Sequence, residues 1–303
     1  MTKKYTAAVV QADPKLFNLE GTLKKTAQLV EEAADKGASL VLFPEAYIPC
    51  YPRGLSFGTV VGSRTDQGRQ LWRMYWENSI DVPGEATKEL GKMAKKAKSF
   101  LAIGVMERDT NTRGTLYCTL LYFGPDGALL GKHRKLKPTA AERIIWGEGD
   151  GSTLVSFDTE IGQLGGLICW ENYMPLARMA MYEQGVQVYL APTADQRDSW
   201  QATMRHIASE GRCYVMGANQ FVTKSMYPDE VIELENLSDQ PEVMCRGGSV
   251  IIDPMGNVIA GPLFDEEGIL TAEIDLDAVT ESKMDFDVCG HYARNDVFEF
   301  KVR

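Results

Sequence analysis

Apolar residues recur along this chain in two spacings, and each spacing predicts one kind of element. Short apolar runs, typical of buried strands, predict strands at about residues 5–12, 39–43, 100–107, 115–123, 128–135, 152–158, 163–168, 186–192, 213–220, 248–253, 258–263 and 269–275. Apolar residues three or four positions apart predict amphipathic helices around Leu23, Ala27, Val30 and Ala34, around Ala86, Leu90, Met93 and Ala97, over 176–184, and around Trp200, Met204, Ile207 and Ala208. Strands that alternate with helices favour parallel pairing, so the pattern predicts the α/β class.

Three segments show neither spacing. Residues 46–82 are predicted as a long loop rich in aromatic residues, residues 222–246 as an acidic loop, and residues 278–303 as an extended C-terminal tail. Long loops of this kind usually act as lids or binding walls. The first loop is therefore expected to border a ligand site.

Both halves of the chain run through a similar order of strand, helix, strand, helix, strand and strand. No stretch rich in Pro, Gly and Ser separates the halves, and such a stretch is the usual sign of a linker between domains. We therefore expect residues 1–303 to form a single domain, with two sheets and with helices over both outer faces.

Composition narrows the function classes. The formal net charge is −10, which argues against nucleic acids and anionic membranes as partners because both attract clustered Lys and Arg. No apolar run approaches the length of a membrane span, and the N-terminus does not resemble a signal peptide. The six cysteines are far apart and the three histidines form no metal-binding motif, so we expect reduced thiols in the cytoplasm and no metal or other cofactor.

One cysteine stands at a chemically favourable position. Cys169 follows the apolar run 163–168, whose two glycines indicate a strand that another segment packs closely against. Pro175 then begins a predicted helix that ends before Gly185. Backbone N–H groups at such a strand end favour a thiolate, so Cys169 is a candidate nucleophile. A buried and inert cysteine is the alternative interpretation.

Two further reactive groups share this placement. Glu45 and Lys135, like Cys169, each come directly after a predicted strand. If the three strand ends meet at one edge, a carboxylate is available to take the thiol proton and an ammonium to stabilise developing negative charge. Such a trio suits attack on an sp or sp² carbon bonded to nitrogen.

Seven segments carry a recognisable set of motifs. They are FPEA at 43–46, GKHRKLKPT at 131–139, ERIIWG at 142–147, ICWEN at 168–172, APTAD at 191–195, WQATMRHIA at 200–208 and GHY at 290–292. In these segments, which occur in the same order and span nearly the whole length, the chain resembles the nitrilase branch of the carbon–nitrogen hydrolase superfamily. Plant-type and related bacterial nitrilases are the most similar members.

The resemblance implies a fold, a reaction and a set of site residues. The fold is an α-β-β-α four-layer sandwich, and the catalytic triad is carried here by Glu45, Lys135 and Cys169. A second glutamate of the family falls on Glu142, where it positions substrate and triad; without the resemblance, Glu142 would be interpreted as a surface partner of Arg143. Tyr51 and Trp170 match positions near the substrate pocket in the same family.

The implied reaction converts an organic nitrile to the carboxylic acid and ammonia through a cysteine thioimidate and thioester, without cofactor or metal. Two alternatives remain open: an amidase-type or nitrile-hydrating relative that releases amide, and a non-catalytic assembly or binding module. The aromatic residues of 46–82 suggest a nitrile with an apolar or aryl side chain, while cyano-amino acids and aliphatic dinitriles remain open. A homodimer or higher homo-oligomer is expected.

Overall fold

The computed structural model describes residues 3–303, which form thirteen strands and seven α-helices. The strands are β1 (Lys4–Gln11), β2 (Ala38–Leu42), β3 (Phe100–Arg108), β4 (Leu116–Phe123), β5 (Leu129–Arg134), β6 (Phe157–Thr159), β7 (Gly162–Gly166), β8 (Val188–Pro192), β9 (Tyr214–Ala218), β10 (Phe221–Thr223), β11 (Val243–Ile252), β12 (Val258–Phe264) and β13 (Gly268–Asp275). The helices are α1 (Leu19–Asp35), α2 (Asp66–Asn78), α3 (Glu85–Ala97), α4 (Pro175–Glu183), α5 (Asp198–Gly211), α6 (Asp229–Leu234) and α7 (Leu276–Ser282).

The strands form two mixed sheets. The first has the order β13-β1-β2-β3-β4-β5, and the second has the order β10-β11-β9-β8-β7-β6, with β12 paired to β11. In the first sheet β1, β2 and β3 are parallel, and two antiparallel steps through β4 make β5 run in the same direction as β2. In the second sheet β7, β8 and β9 are parallel. The predicted alternation of strands and helices thus does produce parallel pairing.

Each sheet buries both of its faces, because successive residues of a strand point to opposite sides. In β1, Ala7 and Val9 contribute to the core between the two sheets, whereas Ala8 and Val10 pack beneath α1 and α3. The second sheet is covered in the same way on its outer face by α4 and α5. The layers are therefore helix, sheet, sheet, helix, which confirms the predicted α-β-β-α sandwich.

The segment 46–82 was predicted as a loop, and this was wrong for its second half, which contains α2. Thr65 caps the helix by accepting a hydrogen bond from the backbone N–H of Gly68. Leu71 and Tyr75, four residues apart, are both fully buried. The helical spacing was present in the sequence, but the neighbouring Trp72 and Trp76 made the segment resemble an aromatic loop.

The segment 222–246 was also predicted as a loop and instead contains regular structure. It includes most of β10, a 3₁₀-helix at Lys224–Met226, the short helix α6 and the first residues of β11. Helix α6 packs against α2, and Val231 is its buried anchor. With a single buried side chain, α6 has no periodic pattern from which a sequence could predict it.

The predicted bounds of one strand and of the C-terminal tail also differ from the structure. The strand predicted over 152–158 is confined to β6, and a 3₁₀-helix occupies Gly151–Thr153. The segment 278–303 was predicted as extended, but helix α7 includes its first five residues. The side chain of Asp275 caps α7 by accepting from the backbone N–H of Asp277. Residues 283–303 contain neither a strand nor an α-helix.

Candidate active site

The nucleophile candidate lies at a constrained strand end. A Cβ atom on Gly166 would lie 1.9 Å from the carbonyl oxygen of Leu190, so glycine is what allows β7 to approach β8 this closely. Cys169 follows at the start of a 3₁₀-helix, Cys169–Tyr173, with a φ of 52°. A non-glycine residue in this left-handed region is strained and is often found at functional sites. The close packing predicted for the two glycines is confirmed.

The environment of Cys169 favours the neutral thiol. The side chain is buried, and the Thr193 hydroxyl donates to its sulfur at 3.3 Å. Burial and then the negative charge of Glu45 raise the pKa of Cys169 above its usual value, while Lys135 lowers this pKa. Desolvation therefore opposes the thiolate that the helix N–H groups were expected to favour, and a base is needed to take the proton.

A carboxylate is available for that proton. Glu45 comes three residues after β2, is fully buried, and one of its carboxylate oxygens, Oε2, has no hydrogen-bond partner among the described residues. Burial raises the pKa of Glu45; Lys135 opposes this shift, Glu142 adds to it, and a hydrogen bond with the Cys169 thiol lowers the pKa. A buried carboxylate with a raised pKa and a free oxygen beside a thiol is suited to proton transfer.

Lys135 joins two carboxylates. Its Nζ atom lies 2.6 Å from Oε1 of Glu45 and 2.7 Å from Oε2 of Glu142, and its side chain is fully buried. Burial lowers the pKa of Lys135, but the negative charge of Glu45, together with that of Glu142, raises it well above its usual value. The ammonium therefore stays charged and is held by two hydrogen bonds. It is a fixed positive charge next to the thiol.

Glu142 is buried rather than paired with Arg143 at the surface. It lies in a 3₁₀-helix, Ala140–Ile144, and its carboxylate accepts from Lys135, from the backbone N–H of Thr139 at 2.6 Å and from the Tyr51 hydroxyl at 2.8 Å. Tyr51 is thus tied to the same cluster. The structure brings Glu45, Lys135, Glu142, Cys169 and Tyr51 together, as the resemblance implied.

A third buried carboxylate, which sequence reasoning did not single out as a site residue, connects the ends of β5 and β7. Glu171 accepts from the backbone N–H groups of Leu136 at 2.6 Å and Ile168 at 2.7 Å. It also lies 3.0 Å from Nε2 of His133, whose Nδ1 atom is 3.0 Å from the carbonyl oxygen of Thr153. Both ring nitrogens of His133 face acceptor oxygens, so the imidazolium, which has an N–H on each nitrogen, donates a hydrogen bond to each acceptor. Burial lowers the pKa of His133, but the negative charge of Glu171 raises it by more, so the pKa lies above that of an ordinary histidine.

Trp170 forms part of the cavity beside Cys169. Its indole N–H donates to Oδ2 of Asp195 at 2.9 Å, and about 40% of the residue is exposed. The cavity has a volume of about 260 Å³, and both Tyr51 and Trp170 border it, as do Arg53, Thr139, Glu142, Ala194, Asp195, Gln196 and Arg197. A larger cavity of about 400 Å³ shares Tyr51, Arg53 and Glu142 with it. A small ligand therefore has a path to the thiol.

Several of these neighbours were missed from the sequence. Thr193 and Asp195 follow β8, which pairs in parallel with β7, so the rule that strand ends share an edge would have identified them. Arg53 lies in an irregular segment, and its sequence neighbours gave no signal. Only the tertiary structure places it beside Cys169.

Residues 3–303 show neither a metal centre nor a membrane-spanning helix. No group of three or more His, Cys, Asp or Glu side chains within this range is arranged to hold a metal ion. Every helix in the same range is too short or too polar to cross a bilayer.

Comparison with known proteins identifies close relatives. A family model described as "Carbon-nitrogen hydrolase" matches residues 6–284. An aliphatic nitrilase from Sinorhizobium fredii is 53% identical over 300 residues, which cover 99% of this chain and 96% of that protein. A bifunctional nitrilase/nitrile hydratase from Lupinus angustifolius is 51% identical over 302 residues, which cover 98% of this chain and 85% of that protein.

Among solved structures, a carbon–nitrogen hydrolase from Helicobacter pylori G27 superposes with a TM-score of 0.75 at 22% identity, covering 98% of this chain and 97% of that chain. This similarity concerns the fold. The sequence similarity to the curated relatives extends over nearly the whole chain.

Proposed function

The chain belongs to the carbon–nitrogen hydrolase family, and we propose that it acts as a nitrilase, which hydrolyses an organic nitrile to the carboxylic acid and ammonia. One observation carries the proposal. The Cys169 thiol borders an open cavity and adjoins a buried carboxylate, Glu45, and a fixed ammonium, Lys135. These are a nucleophile, a base and a cation for developing charge, which are the groups that addition to a nitrile carbon requires.

The first step forms the covalent bond. Glu45 takes the thiol proton as the sulfur of Cys169 attacks the nitrile carbon, and one electron pair of the carbon–nitrogen triple bond moves to nitrogen. The nitrogen then receives the proton, which gives a neutral thioimidate. Lys135 stabilises the negative charge that develops during the addition, and because Glu45 and Glu142 already hold its Nζ atom, little reorganisation is needed.

Two water molecules complete the reaction. Glu45 activates the first water, which adds to the thioimidate carbon. The nitrogen is then protonated and the carbon–nitrogen bond breaks. Ammonia departs, and the enzyme is left as a thioester. A second water, activated in the same way, adds to the thioester. The carbon–sulfur bond then breaks, the acid departs and the sulfur takes back its proton. Glu142 and Tyr51 act as positioning residues, because Glu142 accepts a hydrogen bond from Lys135 and the Tyr51 hydroxyl donates to Glu142.

A second activity is supported by one relative, the bifunctional nitrilase/nitrile hydratase. If the carbon–sulfur bond of the first tetrahedral intermediate breaks before the carbon–nitrogen bond, the product is the amide. Acid and amide thus arise from the same intermediate, and their ratio depends on which bond breaks first. A non-catalytic module is disfavoured, because burying one ammonium and two carboxylates is costly without a chemical purpose.

The first experiment measures acid, amide and ammonia from arylacetonitriles, aliphatic dinitriles and 3-cyanoalanine. We expect wild type to release acid and ammonia in equal amounts. Cys169→Ala is expected to lose turnover by several orders of magnitude while keeping its melting temperature, since the nucleophile is removed from a site that needs no thiol to fold. Cys50→Ala is the matched control, because Cys50 is also buried but does not border the cavity beside Cys169.

Each result has a clear meaning. If wild type released mainly amide, the nitrilase proposal would be replaced by the alternative, an enzyme that hydrates the nitrile to the amide. Turnover by Cys169→Ala at the wild-type rate would contradict the covalent mechanism. Inactivity of wild type on every nitrile would overturn the proposed function.

Assembly and location complete the proposal. A homo-oligomer is supported by neighbouring exposed apolar side chains at Tyr173, Met174 and Leu176. A cytoplasmic location is supported by six cysteines that all carry free thiols, a state that a reducing compartment maintains and that the nucleophile requires. Fractionation of cells that express the protein tests the location.

A further inference from the structure

Arg53 is a cation placed at the cavity that contains the nucleophile. It borders both the 260 Å³ cavity beside Cys169 and the adjoining 400 Å³ cavity. Its guanidinium carbon lies 5.2 Å from the centre of the Tyr51 ring, and one of its N–H groups donates to the carbonyl oxygen of Ala194. These contacts hold the half-buried side chain in place between the two cavities.

The other charges around the same cavity are already paired. Glu142 is bound by Lys135, and Asp195 is bound by Arg197. Arg53 has no carboxylate within 4.0 Å among residues 3–303. A guanidinium has five N–H donors in a planar fork, and Arg53 uses one of them on Ala194 and lies beside the Cys245 thiol, so donors remain for a ligand. A partly desolvated cation without a counter-ion is costly, which indicates that an anion completes the site.

Resting on the nitrilase function proposed above, we propose that Arg53 binds a carboxylate of the substrate. The preferred substrates are then short aliphatic nitriles that carry a carboxylate at the other end. The guanidinium fork matches a carboxylate in two parallel hydrogen bonds, which both attracts the substrate and orients its nitrile toward Cys169. A cavity of about 260 Å³ suits a chain of a few carbons.

The lining of the cavities supports this substrate class over an aryl one. Four charged side chains, those of Arg53, Glu142, Asp195 and Arg197, border the cavity beside Cys169. Trp72, from the aromatic segment, borders an outer cavity of about 550 Å³, which adjoins the 400 Å³ cavity and does not include Cys169. The apolar or aryl preference suggested by residues 46–82 therefore applies to a region away from the reacting sulfur.

The test compares two nitriles of matched shape. One is 4-cyanobutanoate, and the other is 5-methylhexanenitrile, in which an isopropyl group replaces the carboxylate. We expect wild type to have the higher kcat/KM for 4-cyanobutanoate. Arg53→Met is expected to lower the ratio of the two kcat/KM values by about 30-fold or more, the scale for losing one member of a buried charge pair. Arg53→Lys keeps the charge but not the fork and should give an intermediate ratio.

Arg64→Met is the matched control. Arg64 is also an arginine without a carboxylate partner among the described residues, but it borders only the outer cavity. If the preference for an anion came from general attraction, both variants would change the ratio equally. We expect Arg64→Met to change it by less than about 3-fold, because solvent screens an exposed charge.

Binding without turnover gives a second readout. Calorimetry with 4-cyanobutanoate is run on Cys169→Ala and on Cys169→Ala combined with Arg53→Met, and the second protein should bind at least about 30-fold more weakly. An unchanged ratio in Arg53→Met and Arg53→Lys, or a wild-type preference for the neutral nitrile, would overturn the inference while leaving the nitrilase proposal standing. If wild type hydrolyses neither nitrile, equal binding by the two Cys169→Ala proteins overturns the assignment of Arg53, while the nitrilase proposal is decided by the wider panel of nitriles.

Discussion

At the scale of single residues, the site depends on one ammonium shared by two buried carboxylates. Lys135 contacts both Glu45 and Glu142, so the three groups together carry one net negative charge when all are ionised. The charge of Glu142 therefore makes it harder for Glu45 to ionise. The basicity of Glu45, and with it the activation of Cys169, therefore depends in part on the charge of Glu142.

This coupling predicts a change in pH dependence for Glu142→Gln. Burial and the negative charge of Glu142 raise the pKa of Glu45, and removing that charge lets Lys135 lower this pKa further. Because Glu45 acts as a base only when ionised, the acidic limb of the kcat/KM profile should move to lower pH. At the optimum, kcat should fall about 10²-fold, since Lys135 and Tyr51 lose a positioning partner.

The measurement is a pH–rate profile of wild type and Glu142→Gln on the same nitrile. Glu148→Gln is the control, because Glu148 is an exposed carboxylate that pairs with Lys137. An acidic limb that stays in place, or moves to higher pH, in Glu142→Gln would contradict the electrostatic coupling.

At the scale of elements, the site needs β5 and β7, which belong to different sheets, to end at the same place. The Glu171 carboxylate fixes this by binding the backbone N–H of Leu136, beside Lys135, and that of Ile168, beside Cys169. His133 supplies the positive charge that compensates the buried carboxylate. One ion pair thus joins the two segments whose side chains must react together.

The contribution of the ion pair between His133 and Glu171 to the stability of the protein should depend on pH. Because the pKa of His133 is raised in the folded protein above the ordinary histidine value of about 6.5, the stabilisation is complete below that pH and is lost as pH rises through the folded pKa. Glu171→Gln should lower the free energy of unfolding by about 3–5 kcal/mol at pH 6, the cost of leaving one member of a buried pair alone. The difference from wild type should shrink as pH rises.

Urea denaturation at a series of pH values from 6 upward tests this expectation. His206→Gln is the control, because His206 is exposed and lies 3.6 Å from Glu210 at the surface. That substitution should change stability by less than about 0.5 kcal/mol. A difference between wild type and Glu171→Gln that does not vary with pH would show that His133 is not the titrating partner.

At the scale of the whole molecule, the four layers bury both faces of each sheet and leave apolar side chains exposed next to the site. Leu176 is 72% exposed at the start of α4 and follows closely after the partly exposed Tyr173 and Met174. Such neighbouring exposed apolar residues are typical of an interface. The proposed homo-oligomer would cover them.

We therefore expect Leu176→Glu to shift the protein toward the monomer, because it places a charge in an apolar contact. Light scattering coupled to size-exclusion chromatography measures the mass. Leu130→Glu, at an exposed position of β5, should leave the mass unchanged. Equal masses for wild type and Leu176→Glu would exclude this surface as the oligomer contact.

Much of the fold was present in local patterns. The alternation of Ala7 and Val9 with Ala8 and Val10 indicates a strand buried on both faces, and the spacing of Leu23, Ala27, Val30 and Ala34 indicates α1. Helix α2 was missed because its aromatic residues obscured a helical spacing that was present, and α6 was missed because it has no periodic pattern. Leu71 and Tyr75 are buried within the molecule, while α6 depends on its packing against α2.

By itself, the sequence determined that Glu45, Lys135 and Cys169 each follow a strand, because the end of an apolar run is a local property. Their convergence, the burial that keeps Cys169 protonated and the pairing of Lys135 with two carboxylates were decided only by the tertiary structure. The same holds for the unpaired Arg53, since whether a charge has a partner depends on residues distant in the chain. Desolvation and charge pairing arise from the three-dimensional neighbourhood, and the order of residues along the chain does not specify them directly.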